Sequence, residues 1–351
     1  MTLSSLNVDV VIVGAGPAGS AAAYDLALAG LRVAIVDRKT FPRDKPCGGG
    51  LTHKSVDALR YPLDSLIRSK PSILSMTKKL KKAAAIDTGG AFLTMVTRLE
   101  FDNHALQKAI SVGALFITVP KTIQKIINNH DQSSMEWDNL RIQTRWIIAA
   151  DGANSQIRRI TQPGYRPAQA FALESLVSGT SLKLETSLDF GVVKGGYGWV
   201  FPKGDHLNIG LYTANGYPPP SRDALQKYVA EKAPGGKITQ TLGGVIPTHC
   251  YLSTSQLGRI LYVGDAAGFS DNLFGEGIYG AIVSGQIAAE FIVAGTQSNV
   301  GYENNLTTLK SRYQHMNVLA SALYLFMPVT YPLFHWHMNQ LCKQEGLKRK
   351  G

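Results

Sequence analysis

The sequence predicts an α/β fold in which a parallel, Rossmann-like sheet carries an inserted antiparallel β-sheet and a helical C-terminal segment. Three observations lead to this prediction. Residues 8–37 contain an apolar strand, a glycine-rich turn, a small-residue helix and a second apolar strand, which is the order of a βαβ unit. Residues 259–263 form another apolar strand before a second glycine-bearing turn. Between residues 170 and 211, short apolar runs alternate with turn residues, as in an antiparallel sheet.

The first βαβ unit carries the most specific motif, Gly-x-Gly-x-x-Gly at residues 14–19. Gly14 allows a sharp turn, Gly16 lets a pyrophosphate approach the backbone, and Gly19 lets the helix pack on the strand. The helix start then presents free N–H groups and a partial positive charge. Asp37 follows Gly14 by 23 residues and ends the second strand, where its carboxylate can accept hydrogen bonds from a ribose. The unit predicts a dinucleotide site; the other interpretation is a glycine-rich turn without a ligand.

The remaining apolar and turn patterns predict the other elements. In order, they are a loop at 41–50, a helix ending near 60, short strands within 71–97, a helix at 102–109, strands at 114–119 and 145–150, a helix at 221–232 capped by Ser221, and a glycine-bearing helix at 276–294. Because both ends of the chain supply strands of the parallel sheet, we expect a discontinuous cofactor domain with the antiparallel region inserted. The expected domains are 1–60 with 98–165 and 255–300 for the cofactor, 61–97 with 166–254 for the substrate, and 301–351 as a helical, apolar and basic segment.

Composition narrows the class of protein. The 351 residues include 44% hydrophobic residues and 35 glycines, which is typical of a globular α/β protein and not of a disordered one. Cys47, Cys250 and Cys342 lie far apart in the sequence, so they predict neither a disulfide framework nor a metal site. The chain enters its first strand without an apolar leader, and we therefore expect no signal peptide and a cytoplasmic location.

The net charge of +11 suits an anionic membrane surface, a phosphorylated substrate or nucleic acid. No nucleic-acid motif accompanies this charge, so we expect no nucleic-acid partner. The densest basic cluster is Lys-Lys-Leu-Lys-Lys at residues 78–82. It predicts either a solvated face or contact with lipid or substrate phosphate, and a peripheral membrane location stays open.

Three separated motifs together resemble a known superfamily. They are the glycine motif at 14–19, an Asp-Gly segment that begins at Asp151, and Gly-Asp-Ala-Ala at 264–267. This combination resembles the flavoproteins that include aromatic hydroxylases, flavin halogenases and geranylgeranyl reductases. The resemblance implies a glutathione-reductase-like FAD-binding domain of the aromatic-hydroxylase type, with Asp265 on the ribityl chain of FAD. Asp151 then either helps to hold the cofactor region or a transient nicotinamide, or closes a strand-end turn.

Four further segments resemble the geranylgeranyl reductase branch of this superfamily. They are a loop at 43–51, Arg-x-x-Phe-Asp at 98–102, Tyr-x-Trp-x-Phe-Pro at 197–202, and Phe-Gly-Glu-Gly-Ile at 274–278. The resemblance spans about residues 8–295 in the order of the family. It implies that the arginine of the second segment lies at the phosphate and ribityl side of the flavin. It also implies that the aromatic strand lines the substrate cavity and that the last segment opens the helix beneath the flavin.

The motifs and the resemblance together indicate the residues of the site. The expected cofactor-binding residues are Gly14, Gly16, Ala18, Gly19, Asp37, Arg38, Arg43, Cys47, Gly48, Gly49, Arg98, Asp151, Gly264, Asp265, Gly275, Gly277 and Ile278. A period of two places Tyr197, Trp199 and Phe201 on one face of a strand, so this face and Pro202 are expected to line the substrate cavity or to form ordinary sheet core. Cys47 and Tyr197 are the candidate proton donors, and Cys47 is otherwise a small buried filler.

The resemblance implies an FAD-dependent oxidoreductase that transfers hydride from reduced flavin to isolated C=C bonds of a prenyl or similar apolar substrate. NAD(P)H or a small electron carrier would reduce the flavin transiently. Two alternatives to a reductase stay open. One is a flavin monooxygenase, and the other is a flavin-binding module that catalyses no reaction. A halogenase fits less well, because the aromatic motif at 197–202 reads Tyr-x-Trp-x-Phe-Pro instead of Trp-x-Trp-x-Ile-Pro.

The C-terminal region contains an uncharged stretch at residues 318–334. Its 17 residues lie at the lower limit for crossing a bilayer, and Pro328 and Pro332 are expected to break a spanning helix near its end. A basic end follows, with Lys343, Lys348, Arg349 and Lys350. We expect a helical lid over the substrate tunnel that also dips into a membrane surface; a plain core helix and a true span are the alternatives.

Overall fold

A computed structural model of the chain describes residues 4–90, 92–129, 132–179, 185–295 and 299–348. The strands are β1 (Ser4–Asn7), β2 (Val10–Val13), β3 (Val33–Asp37), β4 (Gly50–Thr52), β5 (Ile73–Lys78), β6 (Lys81–Asp87), β7 (Leu93–Met95), β8 (Leu115–Thr118), β9 (Lys125–Asn128), β10 (Ser133–Trp137), β11 (Leu140–Thr144), β12 (Trp146–Ala149), β13 (Ala168–Ser178), β14 (Thr186–Phe190), β15 (Gly196–Pro202), β16 (Leu207–Thr213), β17 (Lys237–Thr248), β18 (Gln256–Leu257) and β19 (Ile260–Tyr262). The helices are α1 (Pro17–Leu28), α2 (His53–Asp57), α3 (Arg98–Ser111), α4 (Gln156–Thr161), α5 (Arg222–Lys232), α6 (Ile278–Val293), α7 (Asn299–Asn305), α8 (Thr307–Leu325) and α9 (Met327–Lys348).

The predicted parallel sheet is present, with strand order β18-β19-β12-β2-β3-β8. Its strands run parallel except for the short edge strand β18. Strands β2 and β12 are buried along their whole length, as expected when helices cover both faces of a parallel sheet. Helix α1 packs against α3 and α6. The carboxyl ends of β2, β3 and β19 therefore deliver their following loops to one edge of the sheet.

The second large sheet has the order β17-β13-β16-β15-β14-β5-β6. Its pairs are antiparallel, as predicted, with one exception: β14 lies parallel to β5. The exception arises because β5 and β6 come from a separate segment, far earlier in the chain. Helix α5 packs on one face through Leu225, Tyr228 and Val229, and α8 and α9 pack on the other face.

Several elements differ from the sequence prediction in extent. Helix α3 begins at Arg98 and not at residue 102, because Thr97 caps it: Thr97 Oγ1 accepts from the N–H of Glu100 at 3.4 Å and donates to Glu100 Oε2 at 2.8 Å. Thr97 and Glu100 have the sequence spacing of a capping box, although Glu100 accepts the Thr97 hydroxyl and not its backbone N–H. The cap of α5 is confirmed, since Ser221 Oγ accepts the N–H of Ala224 at 3.1 Å. A four-stranded sheet, β1-β11-β10-β9, was not predicted.

The C-terminal region forms two helices that meet at Phe326, which leaves the helical conformation. Pro328 lies in the first turn of α9, where a missing N–H costs little. The prediction that Pro332 breaks the helix was wrong, because α9 continues through it. Residues 328 and 332 are both exposed, so water can satisfy the carbonyl that Pro332 leaves unpaired. Arg349 and Lys350 of the predicted basic end lie outside the described residues.

None of the helices in the described ranges combines the length and apolar character that crossing a bilayer requires.

Candidate FAD site and the aromatic strand beside it

The glycine turn after β2 can be built only from glycines at two positions. Gly14 has a φ of +104°, and a Cβ there would lie 2.2 Å from the carbonyl oxygen of Ala150. A Cβ on Gly19 would lie 1.9 Å from the carbonyl oxygen of Gly14. Asp37, at the end of β3, accepts the N–H of Ala15 through Oδ2 at 2.8 Å. The turn, the helix start and the acidic strand end are therefore tied into one unit.

One basic group, the Arg43 guanidinium, lies against this turn. A Cβ on Gly16 would lie 3.7 Å from Nη2 of Arg43, so the Arg43 guanidinium lies against the turn. Arg43 Nη1 contacts Asp102 Oδ2 at 3.1 Å, and Arg98 binds both oxygens of Asp102 at 2.7 Å. Burial alone would lower the pKa of Arg98, but Asp102 and Cys47 more than offset it, and its pKa is raised. Arg38 is exposed beside Asp37.

A second group of predicted residues lies where the chain leaves β19. Asp265 Oδ1 accepts from Ser270 Oγ at 3.0 Å, and Asp265 Oδ2 lies 3.4 Å from Lys45 Nζ. Gly264 has a φ of +56°, and its N–H donates to Ser284 Oγ on α6 at 2.9 Å. A Cβ on Gly277 would lie 2.5 Å from Ser270 Oγ. The structure therefore brings the third motif against the start of α6.

The residues at both helix starts suit a dinucleotide. Gly16 and Gly277 stand at the N-caps of α1 and α6, and glycine has no side chain with which to occupy the first N–H groups. These groups and the helix dipole favour an anionic ligand. With Arg43 at one start and the Asp265 carboxylate at the other, the protein offers donors for a diphosphate and acceptors for sugar hydroxyls. The predicted residues therefore fit FAD.

Asp151 has a more local role in the structure. Its Oδ2 accepts the N–H groups of Gln156 at 2.6 Å and Ile157 at 3.1 Å, so it caps the first turn of α4. Burial raises the pKa of Asp151, against the lowering effect of these hydrogen bonds. Within the described residues, its Oδ1 is buried without a hydrogen-bond partner. Asp151 therefore closes the turn after β12, and its role in holding the cofactor region stays a prediction.

The loop after Pro46 is held by residues that the sequence analysis did not single out. The N–H of Cys47 donates to Glu174 Oε1 at 2.9 Å, and the N–H of Gly49 donates to Cys47 Sγ at 3.4 Å. Lys203 Nζ donates to the carbonyl oxygens of Gly49 at 2.9 Å and Val96 at 3.0 Å. Two signals could have shown these partners: Lys203 directly follows the aromatic motif, and Glu174 is a lone acid in an apolar strand.

Lys203 predicts a specific pH dependence of stability. Burial lowers its pKa from 10.5 to about 7, although Cys47 and Glu174 oppose the shift. Between these pH values Lys203 holds its proton in the unfolded chain but not in the fold, so Lys203 contributes a rise of the free energy of unfolding with pH of at most about 1.4 kcal/mol per pH unit. We expect the free energy of unfolding, measured in urea at pH 7 to 9, to rise more steeply with pH in the unaltered protein than in Lys203→Met.

The control for this experiment is Lys227→Met, since the Lys227 side chain is 77% exposed. All three proteins are unfolded with the same saturating FAD. If the free energy of unfolding changes with pH in the same way in Lys203→Met and in the unaltered protein, Lys203 is charged in the folded protein throughout this pH range.

The aromatic motif lies on β15 as predicted, with its three rings on one face. The ring centroids of Tyr197 and Trp199 are 6.2 Å apart, as are those of Trp199 and Phe201. Gly48 packs directly on this face: a Cβ there would lie 3.0 Å from the Phe201 ring and 3.1 Å from Trp199 Nε1. Pro202 ends the strand. The rings are therefore both part of a sheet core and the wall against which the 47–50 loop lies.

The turn that precedes α6 is fixed by the buried Asp271. Its carboxylate accepts the N–H groups of Leu273, Phe274 and Glu276 at 2.8, 2.6 and 3.0 Å. Burial, with repulsion from Glu276, raises the pKa of Asp271 to about 6. The carboxylate thus fixes the backbone that carries Gly275 and Gly277.

Two tyrosines contact the same turn from β15 and β16. Tyr197 donates its hydroxyl hydrogen to the carbonyl oxygen of Phe274 at 2.7 Å. Gly275 has a φ of +69°, and a Cβ there would lie 2.6 Å from Cε2 of Tyr212. Among the described residues, the buried Tyr212 hydroxyl has no hydrogen-bond partner. Sequence analysis missed Tyr212, although it lies directly across from Tyr197 in the antiparallel pair.

The fold and these helix starts define the class of protein. Residues 7–173 match the family described as FAD binding domain, and the residues present fit FAD. The protein is an FAD-dependent oxidoreductase.

Comparison with relatives gives the family. The chain is 33% identical over 315 residues to an uncharacterized protein of Methanosarcina barkeri, covering 89% of this chain and 80% of that protein. It is 32% identical over 319 residues to the chloroplastic geranylgeranyl diphosphate reductase of Oryza sativa, covering 84% of this chain and 68% of the relative. The chain belongs to the geranylgeranyl reductase family of FAD-dependent oxidoreductases.

A solved structure agrees with the fold. The geranylgeranyl bacteriochlorophyll reductase-like protein of Thermoplasma acidophilum superposes with a TM-score of 0.79 at 22% identity, covering 92% of this chain and 88% of that one. The predicted α/β architecture, with its FAD-binding domain and antiparallel sheet, is confirmed.

Proposed function

We propose that this protein reduces isolated C=C bonds of a prenyl chain, of the geranylgeranyl type or a similar apolar substrate. The observation that carries the proposal is the apolar, aromatic face of β15 beside the 47–50 loop and the turn before α6. Family membership supports the same substrate class. An isoprenoid chain has no polar group along its length, so shape and apolar contact must position it.

The reaction needs a hydride, a proton and a dry site. Bound FAD supplies the hydride with its electron pair, taken from NAD(P)H or a small electron carrier; one alkene carbon gains this hydride, the other gains a proton, and the π bond is lost. The protein binds the cofactor at the glycine turn and Asp265, and excludes water with aromatic rings. Residues Tyr197, Trp199, Phe201 and Pro202 are proposed to line the substrate cavity.

Cys47 is the better placed of the two candidate proton donors. Its side chain interacts with the Arg98 guanidinium, and the Lys203 amine binds the neighbouring Gly49 carbonyl. The Cys47 thiol therefore lies beside two basic groups, the Arg98 guanidinium and the Lys203 amine. The Tyr197 hydroxyl, in contrast, already donates to Phe274, and burial raises its pKa.

Anaerobic half-reactions test the proposed function. The flavin of the purified protein is photoreduced without oxygen, and prenyl diphosphates, prenylated lipids and isoprenoid quinones are added in turn. We expect a substrate with an isolated prenyl double bond to reoxidise the flavin and to gain two hydrogens. Reoxidation that requires oxygen and gives an oxygenated product would replace the proposal with a monooxygenase. An unreactive flavin with every substrate would favour a non-catalytic flavin-binding module.

A pair of variants tests the proton donor. We expect Cys47→Ala to slow anaerobic reoxidation by substrate by about 10²- to 10⁴-fold, the range for loss of general acid catalysis. Tyr197→Phe should have a much smaller effect, because its proton is held by a backbone carbonyl. Absorption spectra before mixing establish equal flavin content. A large loss in Tyr197→Phe with a normal rate in Cys47→Ala would reverse the assignment.

A further inference from the structure

The meeting point of α8 and α9 exposes large apolar side chains. We call Leu325, Phe326, Val329, Leu333 and Trp336 the apolar corner; they are 66%, 59%, 79%, 68% and 57% exposed. On α9, Val329, Leu333 and Trp336 follow one another at i, i+4 and i+7, which places them on one face. Residues 313–342 contain no Asp, Glu, Lys or Arg, so the part of α8 and α9 that carries the apolar corner has no acidic residue and no basic residue other than histidine.

The opposite faces of the same helices already serve the core. Leu323, Tyr324, Tyr331 and Met338 are buried against the second sheet, and the Phe334 ring lies 5.3 Å from that of Phe190. Thr330 Oγ1 donates to the carbonyl oxygen of Phe326 at 3.0 Å. The inner faces of the two helices therefore hold them on the sheet. The residues of the apolar corner do not take part in this packing.

A basic turn lies beside the apolar corner. The turn between β5 and β6 carries Lys78, Lys79 and Lys81, which we call the lysine turn. Lys78 Nζ lies 5.9 Å from the centre of the Tyr331 ring on α9. A Cβ on Gly191 would lie 2.9 Å from Met327 Sδ and 3.4 Å from Lys79 Cγ, so one point of the backbone touches both α9 and the lysine turn.

We infer that the apolar corner and the lysine turn form one docking surface for an anionic lipid bilayer. Apolar side chains at a protruding helix junction can enter the acyl boundary, while lysines remain at the level of the headgroups. Anionic lipids attract such lysines. A second copy of this chain is the less suitable occupant, because a two-fold contact through this surface would place the lysine turns of both copies in one interface, where like charges repel. This inference is independent of the reaction proposed above.

Vesicle binding by the FAD-loaded full-length protein tests the inference. Vesicles of phosphatidylcholine, with and without phosphatidylglycerol, are sedimented with the unaltered protein and three variants. We expect Val329→Ser/Leu333→Ser/Trp336→Ser to weaken binding to both kinds of vesicle by about tenfold or more. The variant lacks the three apolar side chains whose transfer from water into the bilayer favours binding. Lys79→Gln/Lys81→Gln should weaken binding to the anionic vesicles by about tenfold and leave binding to the neutral vesicles unchanged. The matched control is Leu28→Ser/Val293→Ser, which removes exposed apolar side chains of α1 and α6.

Tryptophan fluorescence gives an independent readout. Trp137, Trp146 and Trp199 are buried, whereas Trp336 is exposed, so a blue shift on adding vesicles reports Trp336 and should vanish in Trp336→Phe. Unchanged vesicle binding by the triple serine variant would overturn the inference. So would a dimer that forms without vesicles and disappears in that variant, because the surface would then bind a second copy.

Discussion

Replacing Asp102 with alanine should lower the free energy of unfolding by about 3–5 kcal/mol, the cost of breaking a buried ion pair by removing one partner. Asp102 is fully buried and holds two arginines. Without its carboxylate, Arg98 stays buried and charged, and Arg43 loses the contact that keeps it against the glycine turn. Urea unfolding of the unaltered and variant proteins at equal FAD measures the difference.

The matched control for this variant is Asp223→Ala. Asp223 also pairs with a basic residue, Lys227, but both side chains are more than 70% exposed, and such pairs contribute little. Asp102→Asn adds a second comparison, because it keeps the volume and loses the charge. If Asp102→Ala lowers the free energy of unfolding by less than about 1 kcal/mol, solvent reaches Arg98 and replaces the carboxylate.

Gly19→Ala should abolish retention of FAD during purification. The new Cβ would meet the carbonyl oxygen of Gly14 at 1.9 Å, and neither atom can move without opening the turn. The helix start then no longer faces the diphosphate. We expect the dissociation constant for FAD to rise about 100-fold or more, equivalent to about 2.7 kcal/mol.

Titration of the apoprotein with FAD, followed by flavin fluorescence, measures this change. Gly164→Ala is the matched control, because nothing lies within 4 Å of a Cβ there and its φ is not in the left-handed region. Circular dichroism of the two apoproteins separates loss of binding from loss of fold. A Gly19→Ala protein that remains folded and binds FAD as tightly as the control would contradict the assignment of the turn.

The local parts of the fold could be predicted from the sequence. The glycine turn, β2 and β3 lie within 30 residues of one another, and their steric demands are visible in the residue types. The single aromatic face of β15 follows from a period of two. The start of α3 could also have been found, because Thr97 and Glu100 have the recognisable sequence spacing of a capping box.

The long-range part of the candidate site could not be predicted in this way. Cys47 and Glu174 are separated by 127 residues, and Lys203 reaches Gly49 across 154. Such pairs depend on how two sheets are placed against each other, which no local pattern records. The C-terminal region shows the same limit: the uncharged stretch at 318–334 has apolar residues on every face, and only the packing of residues such as Tyr331 distinguishes its inner face from its outer one.

The parallel pairing of β5 with β14 affects how the protein can be made. The two paired strands lie more than 100 residues apart in the sequence. The parallel sheet is also incomplete until β19, near residue 260, has been synthesised. A ribosome that has released only the first half of the chain therefore exposes apolar strands without their neighbours. Closing such long loops is slow, and unpaired edges invite aggregation. Recombinant yield should therefore depend on slow synthesis or chaperone supply more than on the stability of the finished protein.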